Sequence, residues 1–570
     1  MPTTISYLDE KLGRYLSGFA APERQSFLQQ ITTLLASVRS QGHSCLPLTA
    51  VDELATDVNI ELAANWRDQW RSLLESESTL LGSGGGVQPL QYRDGNLYLQ
   101  RDDHAEEQIA KILSQHANGS RLYAERDLDA ALDRLFTGSD AGTLGQRQAA
   151  LAAATNRLAM ILGGPGTGKT TTVVKLLAVI LEQALTLKPL YNVLLLAPTG
   201  KAAARLGQSI KAQRNSLDIS ESIRAAIPTS AKTLHRALEW RGGGFARNAR
   251  NPLVADLIVV DEASMIDTRL MLGLLEAVPA HCQLLLLGDA HQLASVEAGS
   301  VLSDLELAAQ ETSSLLHPGY AKLTHSYRFH QDSGIGALAG AVKQGDTAAI
   351  NPIFANFNNE LSWSEVLDVA ELSQPYHHYL NALKQGSPPE EVYARYNDWR
   401  VLCAIREGEF GLSGLNEAIE QHLAAAFDLN VDSRFYSGLP IMITQNDYLQ
   451  ELFNGDIGLI LEVNGELRAF FESEDGSMKS LLAARLPHVE KAFAMTVHKS
   501  QGSEFSDCAL VLPEAGRSEL ITRELIYTAI TRAKKTFKLM SSEATLQRGI
   551  SASTQRFSGL ASRLIQRASS

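Results

Sequence analysis

Cysteine is scarce in this chain. There are four in 570 residues, Cys45, Cys282, Cys403 and Cys508, and no two stand close enough for a C-x-x-C pair. That argues against a disulfide framework and against a zinc or iron–sulfur site, and it fits a reducing, cytoplasmic compartment. Long apolar runs are also missing. The longest candidate, Val173 to Leu185, is interrupted by Lys175 and Glu182, short of the ~20 residues a membrane span needs. The opening MPTTISYLDEKLGRYL carries charges throughout and has no apolar signal core. No membrane association is expected. An excess of positive charge is absent too: Lys plus Arg is 51 against 64 for Asp plus Glu, a net charge of −13. A uniformly basic nucleic-acid coat is thereby excluded. A local basic groove is not, because phosphate binding depends on where charge is placed.

What is present is ordinary globular material. Apolar residues make up 45% and charged residues 20%, so a mainly disordered chain is excluded and the length allows about four domains. Residues 1–120 read as a small N-terminal domain. They show helical apolar spacing through FLQQITTLLASVRS, a flexible glycine break GSGGG at 82–86, and Asp94-Gly95 as a hairpin turn between two strand-like runs. His43 and Cys45, in GHSCLPL, read as a packed turn rather than a ligand pair.

From about 125 the pattern becomes strand–helix alternation. NRLAMILG, YNVLLLAP, DLIVVDEAS and CQLLLLGD are nearly continuous apolar runs, the pattern of buried parallel strands. A second series starts near 399 with WRVLCAI and resumes with FAMTVHKSQG and CALVLP. Between its halves, PIMITQND, GDIGLILEV and LRAFFES alternate, with Asn454-Gly455 and Asn464-Gly465 as turns. The expected architecture is α/β. It has two parallel-sheet domains, 125–320 and 321–436 with 491–570, a small N-terminal domain, and a small β-barrel insertion at 437–490.

The strongest chemical signal is GGPGTGKT at 163–170, which follows a strand pattern and opens a helix pattern. Gly163, Gly164, Gly166 and Gly168, with Pro165 and Thr167, form a loop whose N–H groups can curl around a phosphate chain. Lys169 supplies charge for the β- and γ-phosphates, and Thr170 offers a hydroxyl to Mg²⁺. LIVVDEAS at 257–264 delivers Asp261 and Glu262 to a strand end. Asp261 is expected to hold Mg²⁺, and Glu262 to orient and deprotonate the attacking water. LLLLGDAHQLASVEAG at 284–299 places Gln292 near the γ-phosphate or its water.

Taken in order, these segments resemble motifs I, II and III of superfamily 1 helicases. GQRQAALAAA, with Gln146 as adenine reader, APTGKAAARL, TLHRAL, LTHSYRF, AMTVHKSQGSEF and ELIYTAITRAKK resemble the remaining motifs. The resemblance implies two RecA-like domains closing on ATP, with Arg328 and Arg532 as arginine fingers. It implies contacts to single-stranded DNA through Thr199, Lys201, Thr233 and His235 on one domain and Thr496, His498 and Ser500 on the other. The wording of GDAHQLASVEAG, LFNGDIG, TVHKSQGSEF, GHSCLPL and QRFSGLASRL is similar to the RecD group, the α subunits of the RecBCD helicase–nuclease. That implies 5′-to-3′ polarity, RecB-like and RecC-like partners in a heterotrimer, and action on single-stranded and duplex-end DNA. Residues 1–120 are expected to dock on the RecC-like partner.

Three other readings compete. A stand-alone RecD-like helicase usually carries a longer N-terminal region than the 120 residues found here. An inert scaffold is at odds with the intact set of ATP-site residues. A nuclease would need a further acidic cluster, and none is visible outside the motor motifs. The basic loop RGGGFARNARNP at 241–252, with Arg241, Arg247 and Arg250, reads as a solvated disordered segment, with contact to DNA or a partner as the alternative.

Overall fold

The computed structural model describes residues 5–568 apart from 77–78, 120–121, 296, 330–332, 448, 474–476, 487, 515–519 and 555. Val296 and Gln555, each inside a motif quoted above, lie outside the described residues.

Four of the apolar runs form the centre of a six-stranded sheet. Its spatial order is Tyr320–Leu323, Leu158–Gly163, Gln283–Gly288, Leu257–Val260, Val193–Ala197, Ala231–Thr233, and every pair is parallel. The runs are continuous because both faces are covered. Ala159, Ile161, Val259 and Leu285 pack under the helix Lys169–Leu187 on one side. Met160, Leu162, Ile258 and Leu284 pack under Thr268–Ala277 and Val301–Gln310 on the other. The helix Lys169–Leu187 is long and apolar enough to cross a membrane by length and composition alone. Its residues Val173, Val174, Leu176, Leu177 and Ile180 instead lie buried in this core. The edge strand Tyr320–Leu323 carries no long apolar run, and it extends the first sheet slightly past residue 320.

A second parallel sheet follows, in the order Leu361–Ser364, Ala533–Met540, Phe505–Val511, Trp399–Cys403, Ala494–Thr496. Between the helix Leu412–Phe427 and the strand Ala494–Thr496 the chain builds a five-stranded antiparallel sheet. Its order is Met478–Leu482, Glu466–Glu472, Ile457–Val463, Pro440–Ile443, Val489–Lys491. Asn464 and Gly465 both take positive φ, 54° and 79°, as a two-residue hairpin requires. This sheet shares one core with the second parallel sheet, and Tyr393 donates its hydroxyl to the Ile457 carbonyl at 3.0 Å.

The N-terminal segment has its own core, in which Leu28, Ile31 and Leu34 of the helix Pro22–Ser40 meet Trp66, Trp70, Leu90 and Leu97. Asp94-Gly95 does close a hairpin, with φ 50° and 82°. The glycine stretch at 82–86 is not the flexible break expected from composition. The buried Gln91 side-chain oxygen accepts the N–H groups of Gly84 at 3.0 Å and Gly86 at 3.3 Å, and Asp103 accepts that of Gly85 at 3.0 Å. The helix Gln100–Ala117, read from sequence as part of this domain, sends Ile109, Ala110 and Leu113 into the first sheet's core. Leu560 and Leu564 of the last helix, Leu560–Ala568, join them there rather than the second sheet.

Candidate nucleotide site and nucleic-acid face

The strand Leu158–Gly163 and the helix Lys169–Leu187 bracket the glycine loop as the pattern demands. Gly166 and Gly168 take φ of 77° and 80°, which favour glycine. Close approach makes the same demand. A Cβ at 166 would lie 2.3 Å from Arg328 Cβ, and one at 168 would lie 2.2 Å from Gln146 Nε2. The loop is thus gripped from two sides. Gln146, buried on the helix Ala141–Thr155, donates to the Thr167 carbonyl at 3.4 Å, and the Tyr327 N–H donates to Gly166 O at 2.8 Å. Lys169 Nζ donates to the carbonyls of Gly163 at 2.5 Å and Gly164 at 3.1 Å, so the ammonium is held over the loop. Thr170 stands half-buried in the first turn of the same helix.

Asp261 leaves the strand Leu257–Val260, and its Oδ1 accepts the Glu262 N–H at 2.9 Å. Burial, then the Glu262 charge, raise the Asp261 carboxyl above the ordinary carboxylate range, while Lys169 acts against them. A carboxyl so placed is one whose charged form a cation would stabilise. Glu262 adopts φ 52°, a left-handed conformation rare for a non-glycine residue. Among the described residues no three His, Cys, Asp or Glu gather into a metal cluster. The donor set here is one carboxylate, one hydroxyl and whatever phosphate oxygens arrive, which suits Mg²⁺.

From the strand end at Gly288, Asp289 accepts from the Tyr527 hydroxyl at 2.9 Å and from Gln292 Nε2 at 3.4 Å. Gln292 Oε1 accepts from Arg532 Nη2 at 2.8 Å. Arg532 is buried, with its other donors on Thr528 O and Ser503 O. Burial disfavours its charge, and Glu262 and Glu504 offset that. Arg328 ends on Glu504, 2.5 Å away. Arg205 pairs with the same carboxylate, and Lys534 lies 3.4 Å from its second oxygen. Burial works to raise the Glu504 pKa, but Arg205 and Arg328 outweigh it and hold the carboxyl at about 2. A cavity of ≈ 650 Å³ lies between the P-loop residues Gly163–Pro165 and Tyr527 and Thr531 of the second unit. A larger one, ≈ 1020 Å³, opens beside Glu360, Asp398 and Lys538 of the second sheet and contains none of these groups.

The residues proposed from resemblance to touch DNA are unequally placed. Thr199 and Thr233 cap the helices Gly200–Arg214 and Leu234–Ala237, accepting from the N–H groups of Ala202 and Arg236, each at 3.2 Å. His235 is exposed. Lys201 reaches across the cleft to the Phe505 ring at 5.8 Å, where burial, then Arg400, lower its pKa to about 8. Thr496 is buried and accepts the Lys499 N–H at 3.4 Å, and burial pushes half-buried His498 below its usual range. Ser500 is fully buried with its hydroxyl donated to Val497 O at 2.7 Å, so it offers no surface. The loop at 241–252 is ordered rather than disordered. It forms a hairpin, Trp240–Arg241 with Gly244–Phe245, and Glu239 pairs with Arg247 at 2.6 Å and Arg241 at 3.1 Å.

Sequence reasoning assigned no role to Arg205, Asp289, Glu504, Tyr527 or Thr528. Each lies inside a quoted motif or one residue from its end, but its partner is hundreds of residues away, so no local signal exposes it.

A P-loop sheet with a paired strand-end acid, faced by a second parallel sheet that supplies the buried Arg532, defines an ATP-hydrolysing helicase motor. Family models agree. An AAA domain matches residues 146–298, a UvrD-like helicase C-terminal domain matches 491–540, and the N-terminal domain of the RecBCD enzyme subunit RecD matches 3–98. The RecBCD enzyme subunit RecD of Mycolicibacterium smegmatis is 39% identical over 440 residues, 76% of each chain. That of Haemophilus influenzae is 34% identical over 529 residues, covering 83% of this chain and 81% of the relative. The ATP-dependent RecD2 DNA helicase of Deinococcus radiodurans is 30% identical over 564 residues, covering 96% of this chain and 69% of the relative. The chain belongs to the RecD family of RecBCD enzyme subunits.

Proposed function

We propose that this chain is an ATP-driven 5′-to-3′ DNA helicase acting as the α subunit of a RecBCD-type helicase–nuclease in double-strand break repair and recombination. The observation that carries the catalytic part is Arg532 of the second unit bonded to Gln292 of the first at 2.8 Å, beside the P-loop cavity. Backbone N–H groups of Gly164 and of Gly166 to Thr170 cradle the phosphates, and Gln146 holds the adenine end. Lys169 moves from the Gly163 and Gly164 carbonyls to the β- and γ-phosphates. Thr170 and Asp261 would hold Mg²⁺, which would spread the phosphate charge. Glu262 takes the proton of the attacking water. Arg532 and Arg328 stabilise charge on the transferring group only in the closed cleft, so hydrolysis and cleft motion are coupled. Thr199, Lys201, Thr233, His235 and His498 line the single-strand path, with Thr496 held behind them.

In this reading the chain keeps the four units expected from sequence, 1–120, 125–320, 321–436 with 491–570, and the 437–490 sheet as a small barrel, apart from two helices. The packing of Gln100–Ala117 and of the last helix favours assigning both to the first motor unit. The N-terminal domain docks on a RecC-like partner beside a RecB-like one, in the cytoplasm. Nuclease chemistry belongs to the complex. The match of the RecD N-terminal model to residues 3–98 favours the complex subunit over a stand-alone helicase. Co-expression with the candidate partners, followed by strand displacement, tests this. A chain that stays monomeric beside them and still unwinds DNA would favour the stand-alone form.

A further inference from the structure

The C-terminal segment crosses from the second sheet back to the first. Helix Glu543–Ser551 packs on Arg523–Ile530, while the last helix packs on Gln100–Ala117 and Val301–Gln310. Between them Arg556 meets the loop that leaves Gln292. Its Nη1 donates to the carbonyls of Glu297 and Gly299, each at 2.9 Å, and its Nη2 to that of Ser295 at 2.7 Å. The N-terminal segment closes the other side. The Gly299 N–H donates to Gly42 O at 2.9 Å. Gly42 has φ +99°, and a Cβ on it would stand 2.8 Å from Arg556 Cζ. The neighbouring residues lock the crossing: the Phe557 N–H donates to His43 Nδ1 at 3.0 Å, and the Ser44 N–H donates to Phe557 O at 2.9 Å. Burial, then Arg556, push His43 down to about 4, so the ring is neutral and Nδ1 can accept.

The same loop begins at the catalytic cleft. Gln292 accepts from Arg532, the Leu293 N–H donates to Thr528 Oγ1 at 2.9 Å, and Gln501 donates to Leu293 O at 2.8 Å. One end of the loop therefore carries Gln292, and the other is held by a guanidinium from the far end of the chain. A planar guanidinium with five donors can fix several carbonyls at once, which an ammonium on a flexible stem does less well.

We propose that Arg556 is a positioning residue for ATP hydrolysis. By holding the carbonyls of Ser295, Glu297 and Gly299 while the Gly299 N–H bonds Gly42 O, it fixes the loop that aims Gln292 at Arg532. Because Gly42 belongs to the N-terminal segment, a shift of that segment on docking is felt at Gln292. The inference rests on the proposed catalytic role of Gln292.

The test uses the full chain and its DNA-stimulated ATPase, comparing wild type with Arg556→Ala, Arg556→Lys and Gly42→Ala well below their melting temperatures. Misplacing a catalytic group by about 1 Å costs up to roughly 100-fold. The expected result for Arg556→Ala is thus a kcat lowered roughly 10- to 100-fold, with KM for ATP within about twofold of wild type. Arg556→Lys should recover part of the loss. Gly42→Ala should reproduce it, because its methyl strains the backbone at φ +99° and displaces the guanidinium without removing charge, and the double variant should be no worse than the worse single one. A mere structural staple would lower the melting temperature and leave kcat alone. Wild-type kcat in Arg556→Ala overturns the proposal, and if that variant does not fold, wild-type kcat in both Arg556→Lys and Gly42→Ala overturns it. Lys169→Gln separates the two levels. ATPase that survives Lys169→Gln overturns the site itself, whereas an inert Lys169→Gln beside unaffected Arg556 variants overturns only the positioning role.

Discussion

Arg532 donates to Gln292 across 240 residues of sequence and across the cleft between the two parallel sheets, at 2.8 Å. Gln292 in turn reaches Asp289, which accepts from Tyr527 on the second unit. The strand end after the P-loop's neighbour and the last helicase motif thus form one hydrogen-bonded unit. Groups that act as a unit are non-additive when removed. Gln292→Ala and Arg532→Lys are each expected to lower DNA-stimulated kcat by about 10³-fold or more, the scale of a lost arginine finger. The double variant should fall no further than the worse single one. Steady-state ATPase on the four proteins decides it, and losses that multiply would mean the two residues act separately.

Lys169→Gln should fold and lose ATP-driven unwinding, because the charge at the phosphates is gone. Glu262→Gln should bind ATP and DNA but hydrolyse very slowly. Glu262→Gly is more informative. The left-handed φ of 52° strains a glutamate and not a glycine. This variant should therefore keep a melting temperature at or above wild type while losing hydrolysis. A clear drop in melting temperature would show that the Glu262 side chain stabilises the fold instead of serving the reaction.

Glu504 links stability to pH. Its carboxyl is depressed to about 2 by Arg205 and Arg328 against the opposing effect of burial. A depressed carboxylate contributes stability that is fully present above its unfolded value near 4.5 and is lost as pH falls toward 2. The contribution is on the order of 3 kcal/mol. Denaturation midpoints of wild type should fall between pH 4.5 and 2 more steeply than those of Glu504→Gln. Parallel curves for the two proteins would remove Glu504 as the source.

On partial duplexes the protein should unwind from a 5′ single-stranded tail and not from a 3′ tail. Rising salt should weaken DNA binding, since the proposed contacts are to phosphates. Equal unwinding from both tails would contradict the polarity.

Truncation should respect packing rather than the boundary read from sequence. Removing residues 1–120 takes away Ile109, Ala110 and Leu113 from the first sheet's core and should yield little folded protein. Removing only residues 1–98 should give a better yield of a motor that still binds ATP but no longer co-purifies with partner subunits. A 1–98 deletion that still assembles stoichiometrically would sink the docking role.

The sequence by itself determined the apolar central strands, the P-loop, the acid pair and the order of motifs, but not the polar strands Tyr320–Leu323 and Ala533–Met540. These are local facts: apolar runs, glycine where φ is positive, a hydroxyl or carboxylate at a strand end. Asp94-Gly95 and Asn464-Gly465 were legible as turns for the same reason. The tertiary structure alone decided which distant groups meet. Nothing near Glu504 in sequence announces Arg205, and nothing near Arg556 announces Ser295. The glycine run at 82–86 has a flexible composition, yet Gln91 and Asp103 accept the N–H groups of Gly84, Gly85 and Gly86. The family resemblance implies DNA contacts at Thr496 and Ser500, and the fold buries both. Backbone preference acts over a few residues and so can be read along the chain. Pairing of charges and carbonyls across a cleft depends on how whole sheets are placed, and no window of sequence contains that.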